Sequence, residues 1–369
     1  MPISSFFASA EAALTRATAA LDHQVVRLME RRMRGGAPNV PSTRDARARL
    51  LELAATYRDG TLGNPSPFFP VPPVAEIREQ AQPEALGARV FDLTYPSTYR
   101  PFLPGYAAEH ERWRENLTAH ARLYTRGANR PAMIVIHGWG GGAWWLEERA
   151  FAIPYWLRQG FDVVSVQLPF HGERAPRTAT GQTRSGAMFP SANLVRTNEA
   201  FGQAIWDLRG LAAWLRQRGA PAIGAMGMSL GGYTTALWAT LDPLAFAITL
   251  IPAVSMADLM WRHGEQSPTR RRAVQAGVTG DLLAEVFEVH APTTRPPVID
   301  RDRLMIVAGR GDRITPPDQA ERLRAHWGGC DLHWFPGGHL AQVGRGDAFR
   351  AVRHKLDALA IPGRAPEKS

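Results

Sequence analysis

Cysteine, lysine and long apolar runs are the scarce features of this 369-residue chain. The single cysteine, Cys330, excludes an internal disulfide and a metal site built from several cysteines. The only lysines, Lys355 and Lys368, lie near the end of the sequence, so lysine-dependent phosphate binding or Schiff-base chemistry has almost no residue to use. No apolar run reaches the roughly 18 residues of a membrane-spanning helix, so none is expected.

The charge balance is positive, with 43 Lys and Arg against 34 Asp and Glu, and arginine supplies nearly all of the excess. Such a surface attracts anionic lipid or nucleic acid, but no basic stripe with interleaved aromatic residues is present. We therefore expect no nucleic-acid partner, and contact with a membrane surface has no support in the sequence. The first residues also lack the basic segment of a secretory signal, so the predicted location is cytoplasmic.

Residues 1–87 are predicted to form a helical and extended N-terminal extension. Apolar residues recur at intervals of three and four over the first 34 residues, a helical pattern that stops at GGAP (35–38). A second helical stretch, TRDARARLLELAATYRD, precedes NPSPFFPVPP, which is too rich in proline for regular structure. We expect these helices to dock on the main domain; a membrane-surface or dimer helix is the alternative.

Apolar strands alternate with helices over residues 88–360. Strands are predicted at AMIVIHG, FDVVSVQ, AIGAMG, FAITLIPAV, LMIVAG and DLHWFP. The predicted fold class is therefore α/β, with a mostly parallel, doubly wound sheet that binds ligands at the carboxyl ends of its strands. A long stretch between two strands, about 255–300, predicts a helical lid insert, and residues 361–369 are predicted to form a basic tail.

The strand AIGAMG ends in GMSLG, which places Ser229 between two glycines. A G-x-S-x-G sequence between a buried strand and a helix is typical of a nucleophile elbow. The glycines let strand and helix approach closely while the turn strains the serine backbone. The hydroxyl then stands at a helix N-terminus, where the dipole favours developing negative charge. The alternative is a small residue in a glycine-rich loop.

Two other strand ends carry the groups that a serine nucleophile requires. LMIVAG is followed by Asp312 and DLHWFP by His339, and the order Ser229, Asp312, His339 is the one expected for this architecture. Asp312 as a turn residue and His339 as a loop histidine are the alternatives. Asp258 is the reserve candidate for the acid.

The loop HGWGGG follows another predicted strand and offers backbone N–H groups near Trp139, opposite the amide of Leu230. Together these amides are candidates to hold an oxyanion, each contributing about 3 kcal/mol to the transition state. The loop also matches the dinucleotide fingerprint G-x-G-x-x-A, but the next strand ends in VQL without the acidic residue that would bind a ribose. A redox function is therefore disfavoured, and His137 is expected to stabilise the turn.

With these loops in place, the chain resembles the α/β-hydrolase superfamily from about Ala88 to Leu359, in HGWGGG, GMSLGG, GRGD and GGH. The resemblance implies a serine nucleophile, a histidine base, an aspartate acid and an oxyanion hole at the positions given above. GMSLGG, LIPAVS and PGGHL are also similar to the branch of alpha/beta hydrolase domain-containing protein eighteen, which has lipid-like associations.

Substrate contacts are predicted in the loop PFHGERAP (169–176) and in the insert. In the loop, Arg174 has local packing as its alternative. The candidates for substrate binding are Trp144, Phe170, His171, Met256 and Trp261, with Trp139, Leu259 and Met260 as further apolar neighbours. Each of these side chains, taken singly, is also compatible with a place in the core.

The predicted function is a serine hydrolase that cleaves a small-molecule or lipid-like carboxylic ester, lactone or thioester through an acyl-enzyme on Ser229. No metal and no organic cofactor is needed for this chemistry. A peptidase or an acyltransferase with the same triad remains an alternative. So does a non-catalytic binding protein on the same fold.

Overall fold

A computed structural model describes residues 3–33, 43–179 and 181–361. The predicted helix stop at 35–38 and the predicted tail beyond residue 361 lie outside these ranges. The helices are α1 (Ile3–Met33), α2 (Thr43–Arg58), α3 (Ala107–Arg112), α4 (Trp144–Ala150), α5 (Ile153–Arg158), α6 (Leu194–Gln217), α7 (Leu230–Ala239), α8 (Met256–His263), α9 (Pro268–Gln275), α10 (Gly280–Phe287), α11 (Pro317–His326) and α12 (Arg345–Ala358).

Within the described ranges, nine strands form one sheet in the order β1-β2-β3-β5-β4-β8-β9-β10-β11. They are β1 (Arg78–Ala85), β2 (Ala88–Pro96), β3 (Thr118–Thr125), β4 (Ala132–Ile136), β5 (Asp162–Val166), β8 (Ile223–Met228), β9 (Ala247–Leu250), β10 (Leu304–Gly309) and β11 (Asp331–Phe335). From β5 to β11 all neighbours are parallel. At the other edge β1, β2 and β3 run antiparallel. A separate hairpin joins β6 (Arg177–Thr178) and β7 (Gly181–Gln182).

Helices cover both faces of the sheet. Because successive side chains of a strand point to opposite faces, each central strand contributes to a core on either side. In β4, Ile134 and Ile136 join the core that includes α6 and α7, whereas Met133 and Val135 join the core that includes α5 and α12. Each fully buried aliphatic or aromatic side chain stabilises the fold by about 1.5–3 kcal/mol. The predicted α/β class, with a mostly parallel sheet wound on both faces, is confirmed.

The sheet begins earlier in the sequence than the predicted domain boundary at residue 88. Strand β1 starts at Arg78 and pairs with β2 along its length. Its sequence, REQAQPEA, is almost entirely exposed and has no alternation of apolar and polar residues. A boundary drawn from the hydrophobic pattern therefore cuts through the hairpin of β1 and β2.

The N-terminal helix α2 docks on the sheet domain through a buried carboxylate. Glu199 of α6 accepts hydrogen bonds from the hydroxyls of Tyr57 at 2.7 Å and Tyr99 at 2.8 Å. The backbone N–H groups of Phe102 and Leu103 donate to the same carboxylate at 2.9 and 3.1 Å. Burial raises the pKa of this carboxyl despite these donors. The network joins the N-terminal helix to the longest helix of the sheet domain.

The insert between β9 and β10 is helical, with α8, α9 and α10 in succession. Helix α2 packs on α9 and α10, and Arg58 at its end pairs with Glu285 and Glu288 at 3.2 and 2.7 Å. The insert therefore packs between the sheet domain and the N-terminal extension. Its role as a lid stays a prediction.

A buried ion pair joins the loop after β5 to helix α6. Arg174 and Asp207 meet at 2.9 Å, with side chains 1% and 6% exposed. The Ser97 hydroxyl also donates to Asp207 at 2.6 Å. Arg174 therefore has the packing role that was the alternative to substrate binding. No helix of the described ranges is long and apolar enough to cross a membrane.

Candidate active site

Ser229 occupies the single residue between β8 and α7, in a backbone conformation that side-chain-bearing residues seldom adopt. Its φ is 56° and its ψ is −111°. The amide of Ser229 donates to the Leu250 carbonyl at 2.9 Å, and the Ser229 carbonyl accepts from Tyr233 and Ala253. A Cβ on Gly231 would overlap the carbonyl of Ile136, so the helix can start here only with glycine at that position. The turn has the strained geometry expected of a nucleophile elbow.

Three side chains from separate strand ends meet above this turn. His339 Nε2 lies 3.0 Å from Ser229 Oγ, and His339 Nδ1 lies 2.8 Å from Asp312 Oδ2. The Asp312 side chain is 1% exposed and that of His339 is 10% exposed. The structure thus brings together the serine, histidine and aspartate that the sequence singled out. Their geometry is that of a nucleophile, a base and an orienting acid.

The Asp312 carboxylate is fixed by its own turn. Oδ1 accepts from the backbone N–H groups of Ile314 at 2.9 Å and Thr315 at 2.7 Å. Oδ2 accepts from the Thr315 hydroxyl at 2.9 Å and faces His339. Because a carboxylate only accepts hydrogen bonds, His339 carries its proton on Nδ1, and Nε2 is left as an acceptor toward Ser229. This tautomer is the one a general base requires.

The surroundings of His339 favour its charged form. Burial opposes protonation of the ring, but the charge and hydrogen bond of Asp312, together with the charge of Asp22, outweigh it and raise the pKa of His339. An imidazolium formed when the ring takes a proton from Ser229 is therefore stabilised in place.

Asp258, the reserve candidate for the acid, lies elsewhere. Its carboxylate accepts from Arg262 at 3.0 Å and from Gln319 at 2.8 Å. The geometry therefore favours Asp312 for the acid.

The loop after β4 lies directly against the serine. A Cβ built on Gly138 would be 3.3 Å from Ser229 Cβ and 3.9 Å from its Oγ. Leu168 N donates to His137 Nε2 at 3.1 Å, so the ring proton is on Nδ1, which donates to the Gly138 carbonyl at 2.7 Å. Burial lowers the pKa of His137 and keeps it neutral in this role. His137 thus stabilises the turn, as its place in the motif predicts.

These bonds also orient the amide of Trp139. The Gly138 carbonyl is held inside the loop by His137 and by Gly141 N at 3.0 Å. In a trans peptide the N–H points opposite to the C=O, so the Trp139 N–H points away from the loop interior. The indole of Trp139 donates to the Gly186 carbonyl at 2.7 Å and anchors the residue. The amide of Leu230 is the first of α7 and has no acceptor within its helix.

Two of the predicted substrate contacts are corrected by the structure. Phe170 and His171 are buried, because the chain turns inward after β5, with Phe170 at a φ of 62°. The Phe170 amide donates to Asn116 Oδ1 at 3.0 Å, and His171 Nδ1 contacts the Pro169 carbonyl at 2.9 Å. Burial places the pKa of His171 well below its usual range. Neither side chain offers a surface to a substrate.

The other predicted substrate residues have packing partners of their own. The Arg122 guanidinium lies 5.2 Å from the Trp144 ring. Met256 is buried in the core beside α7. Trp261 is stacked by Arg270, 4.7 Å from its ring. Their contacts with a substrate stay predictions.

Exposed apolar side chains lie in the loop after β4, in α4 and in the loop that follows His339. All are large and at least 40% exposed: Trp139, Trp145, Leu146, Leu340 and Val343. We call this set the apolar rim. Arg345 connects α4 to the loop that follows His339. Its guanidinium donates to the Arg149 carbonyl of α4 at 3.4 Å and to the Gln342 side chain at 2.6 Å. Of the rim residues, only Trp139 is predicted from the sequence to lie near a substrate.

Two polar residues of the site were also missed. Thr315 has a recognisable signal, because a hydroxyl three residues after an aspartate is typical of a turn in which the carboxylate is capped. Asp22 of α1 contacts the histidine loop, and its position in a helix more than 300 residues away gave no signal. Within the described ranges, no group of three or more His, Cys, Asp or Glu side chains is placed to bind a metal ion.

Comparisons with known proteins agree with this architecture. The model of a family described as "Alpha/beta hydrolase domain containing 18" matches residues 113–269. An uncharacterized protein of Mycobacterium tuberculosis (strain CDC 1551 / Oshkosh) is 31% identical over 314 residues, which cover 82% of this chain and 72% of that protein. A second, from strain ATCC 25618 / H37Rv, is 31% identical over 312 residues, with 81% and 72% covered.

Among solved structures, acetyl xylan esterase 1 from Thermoanaerobacterium sp. JW/SL YS485 has the same fold. The TM-score is 0.50 and the sequence identity 16%, over 88% of this chain and 98% of that chain. A likeness at this level of identity concerns the fold and leaves the chemistry to the site.

Proposed function

Because the chain belongs to the alpha/beta hydrolase family described as domain containing 18, we propose that it is a serine hydrolase acting on carboxylic esters, lactones or thioesters. The observation that carries the proposal is the pair of distances at His339. Nε2 lies 3.0 Å from the Ser229 hydroxyl and Nδ1 lies 2.8 Å from Asp312. The esterase with the same fold supports an ester substrate in general.

In the first step, His339 Nε2 takes the proton of the Ser229 hydroxyl as the oxygen attacks the substrate carbonyl carbon. A bond forms between Ser229 Oγ and that carbon, and the carbonyl electron pair moves to its oxygen. Asp312 keeps the ring proton on Nδ1 and stabilises the imidazolium, since its other oxygen is already held by two backbone N–H groups.

The oxyanion is proposed to bind the amides of Trp139 and Leu230. The Trp139 N–H points away from the loop interior, where the Gly138 carbonyl is held. Gly138 itself borders Ser229 directly. The Leu230 N–H belongs to the first turn of α7, where the helix dipole adds to the donor. Each donor is worth about 3 kcal/mol to the transition state in such sites.

In the second half of the reaction, His339 gives its proton to the leaving alcohol or thiol. The bond from the carbonyl carbon to the leaving group breaks, and an acyl-enzyme remains on Ser229. A water molecule that loses a proton to the same ring then attacks the acyl carbon. The bond from that carbon to Ser229 Oγ breaks, His339 returns the proton to Ser229, and the acid product leaves. These steps use only the described side chains and water.

The apolar rim supports an acyl or alcohol group with a hydrocarbon part. An apolar chain that covers part of the rim gains about 25 cal/mol for each Å² of apolar surface removed from water. The loops after β4 and β11 both border Ser229, and exposed large apolar side chains in or beside such loops are typical of a ligand-binding surface. We therefore propose a small-molecule or lipid-like ester rather than a sugar or a peptide as the substrate class.

Labelling with a fluorophosphonate probe tests the proposal. We expect the wild type to be labelled and the Ser229→Ala variant to stay unlabelled. His339→Ala should lose labelling, whereas His333→Ala, which removes a histidine from the neighbouring strand β11, should retain it. Equal labelling of the Ser229→Ala variant would contradict the proposal by placing the reactive nucleophile at another residue. No labelling of the folded wild type would contradict it and leave a binding protein on this fold.

A p-nitrophenyl ester series from acetate to palmitate then tests the substrate class. We expect kcat/KM to rise as the acyl chain begins to cover the apolar rim. Trp145→Ala and Leu340→Ala should flatten this rise while acetate hydrolysis stays within about twofold, because acetate is too short to reach the rim. Faster cleavage of amide substrates would indicate a peptidase, and ester products in the presence of added alcohols would indicate an acyltransferase.

A further inference from the structure

We propose that Asp22, on the N-terminal helix α1, is a positioning residue. It holds the loops of Asp312 and His339 in the relative position that the reaction requires. The proposal rests on the proposed function of the triad. It assigns the N-terminal extension a part in the active site, although the extension lies outside the alternating strands and helices that carry the triad.

The Asp22 carboxylate connects two strand-end loops. Oδ2 accepts from the backbone N–H of His339 at 2.7 Å and from that of Arg313 at 3.1 Å. Oδ1 accepts from the N–H of Leu340 at 3.2 Å. Arg313 follows the acid of the triad and Leu340 follows its base. One side chain therefore bridges the loop after β10 and the loop after β11, in addition to the direct bond from Gly311 N to the Gly337 carbonyl at 3.0 Å.

This carboxylate is fully buried, and in the part of the chain that the structure describes no basic side chain pairs with it. Its charge is balanced by backbone N–H groups, which form charge-assisted hydrogen bonds about twice as strong as neutral ones. A buried carboxylate with several backbone donors and no counter-ion is costly to assemble unless the donors are held in place. Because these donors belong to two loops, the arrangement is better explained if Asp22 orders the loops than if it only attaches helix α1 to the domain.

Helix α1 is seated closely enough to make these bonds specific. The Thr15 hydroxyl donates to the Pro336 carbonyl at 3.0 Å. A Cβ on Gly338 would lie 2.7 Å from Asp22 Oδ2 and 3.2 Å from the Thr18 carbonyl. The second glycine of the GGH motif is thus explained by the approach of α1. Its neighbour His339 presents its backbone to Asp22 and its ring to Ser229.

Two effects on the reaction follow. The bonds hold the ring of His339 at reach of Ser229, and misplacement of a reacting group by about 1 Å can cost about 100-fold in rate. The negative charge of Asp22 also adds to the raised pKa of His339. The groups that face this ring are Ser229, Asp312 and Thr315, with Asp22 behind its backbone.

The test compares Asp22→Asn and Asp22→Ala with the matched control Glu11→Gln. Glu11 is a half-exposed carboxylate on the same helix, with the Arg310 guanidinium 3.9 Å away. Asparagine can keep its carbonyl oxygen at the Oδ2 position and so retain two of the three bonds without the charge. Alanine removes both the bonds and the charge.

In the pH profile of kcat/KM, we expect the acidic limb to move to lower pH in Asp22→Asn, because loss of a negative charge lowers the pKa of His339. Asp22→Ala should show this shift and, in addition, a fall in kcat/KM of about 10- to 100-fold. Glu11→Gln should match the wild type in both. Loss of stability alone would reduce the active fraction without moving the pH limb. A folded Asp22→Ala variant with the wild-type rate and pH limb would overturn the proposal.

Hydrogen–deuterium exchange gives a second readout that does not depend on turnover. Amides 313, 339 and 340 should exchange faster in Asp22→Ala than in the wild type or in Glu11→Gln, and unchanged exchange would overturn the positioning role. If the wild type is not labelled at Ser229, the proposed function fails while the exchange experiment still decides whether Asp22 orders the loops. Should Asp22→Ala not fold, the isosteric Asp22→Asn variant supplies the pH profile and should show faster exchange at amide 340, whose acceptor it removes; unchanged exchange there would overturn the positioning role.

Discussion

Asp312→Asn is the substitution whose effect follows most directly from the geometry. Oδ1 of Asp312 accepts from the amides of Ile314 and Thr315, so the asparagine oxygen is held at that side. The new amide nitrogen then stands where Oδ2 lay, 2.8 Å from His339 Nδ1. As a donor it forces the ring proton onto Nε2, where the ring can no longer take the proton of Ser229.

The magnitude depends on how often the asparagine amide flips. The flipped amide restores the correct tautomer but leaves two buried backbone N–H groups without an acceptor, at about 1–3 kcal/mol each. A total of about 2–6 kcal/mol corresponds to a factor of roughly 30 to 10⁴, at 1.36 kcal/mol for each tenfold. We therefore expect kcat/KM for p-nitrophenyl butyrate to fall by about 30- to 10⁴-fold, with KM little changed.

Asp258→Asn is the matched control, because it makes the same chemical change at the other candidate acid. Asp258 is bonded to Arg262 and Gln319, so its variant should keep kcat/KM within about threefold. An Asp312→Asn variant that is folded and as active as the wild type would refute the reasoning. So would an equal loss in the two variants.

Three further outcomes are expected. The acid limb of kcat/KM for the wild type should have its midpoint above 6.5, because the pKa of His339 is raised from that value and the base acts only when neutral; a pH–rate profile with the midpoint below 6.5 would contradict this. Asp207→Ala should lower the free energy of unfolding by about 3–5 kcal/mol in a urea titration, because Arg174 is left buried and unpaired; a loss under about 1 kcal/mol would show that the pair is solvated. Gly231→Ala should destabilise the fold by at least about 1–3 kcal/mol, because the added Cβ overlaps the Ile136 carbonyl, and thermal unfolding at the wild-type temperature would contradict the close packing of the elbow.

The sequence could predict the sheet and the strand ends that bring Ser229, Asp312 and His339 together, because both depend on local signals. Apolar runs of strand length alternate with helices, and the carboxyl ends of parallel strands share one edge of the sheet. Residues placed just after those strands, such as Asp312 and His339, are thereby brought together without any knowledge of side-chain contacts. The strand β1 escaped prediction because its exposed, charged sequence carries no hydrophobic alternation.

The substrate contacts could not be predicted in the same way. A position after a strand says that a residue is near the edge, but the direction of its side chain is set by the local backbone. Phe170 turns into the core through a left-handed φ, and His171 follows it. Asp22 was invisible for another reason, since its partners Arg313 and His339 lie 291 and 317 residues further along the chain.

The seating of α1 on the loops after β10 and β11 has a consequence for how the molecule is made. Helix α1 finds its partners only when residues 336–340, more than 300 residues further along the chain, have taken shape. Contacts of such long sequence separation form late, because the loop they close is entropically expensive. During refolding, the fluorescence of interior tryptophans such as Trp156 should therefore recover before turnover does. The arrangement around His339 is complete only after segments more than 300 residues apart have come together.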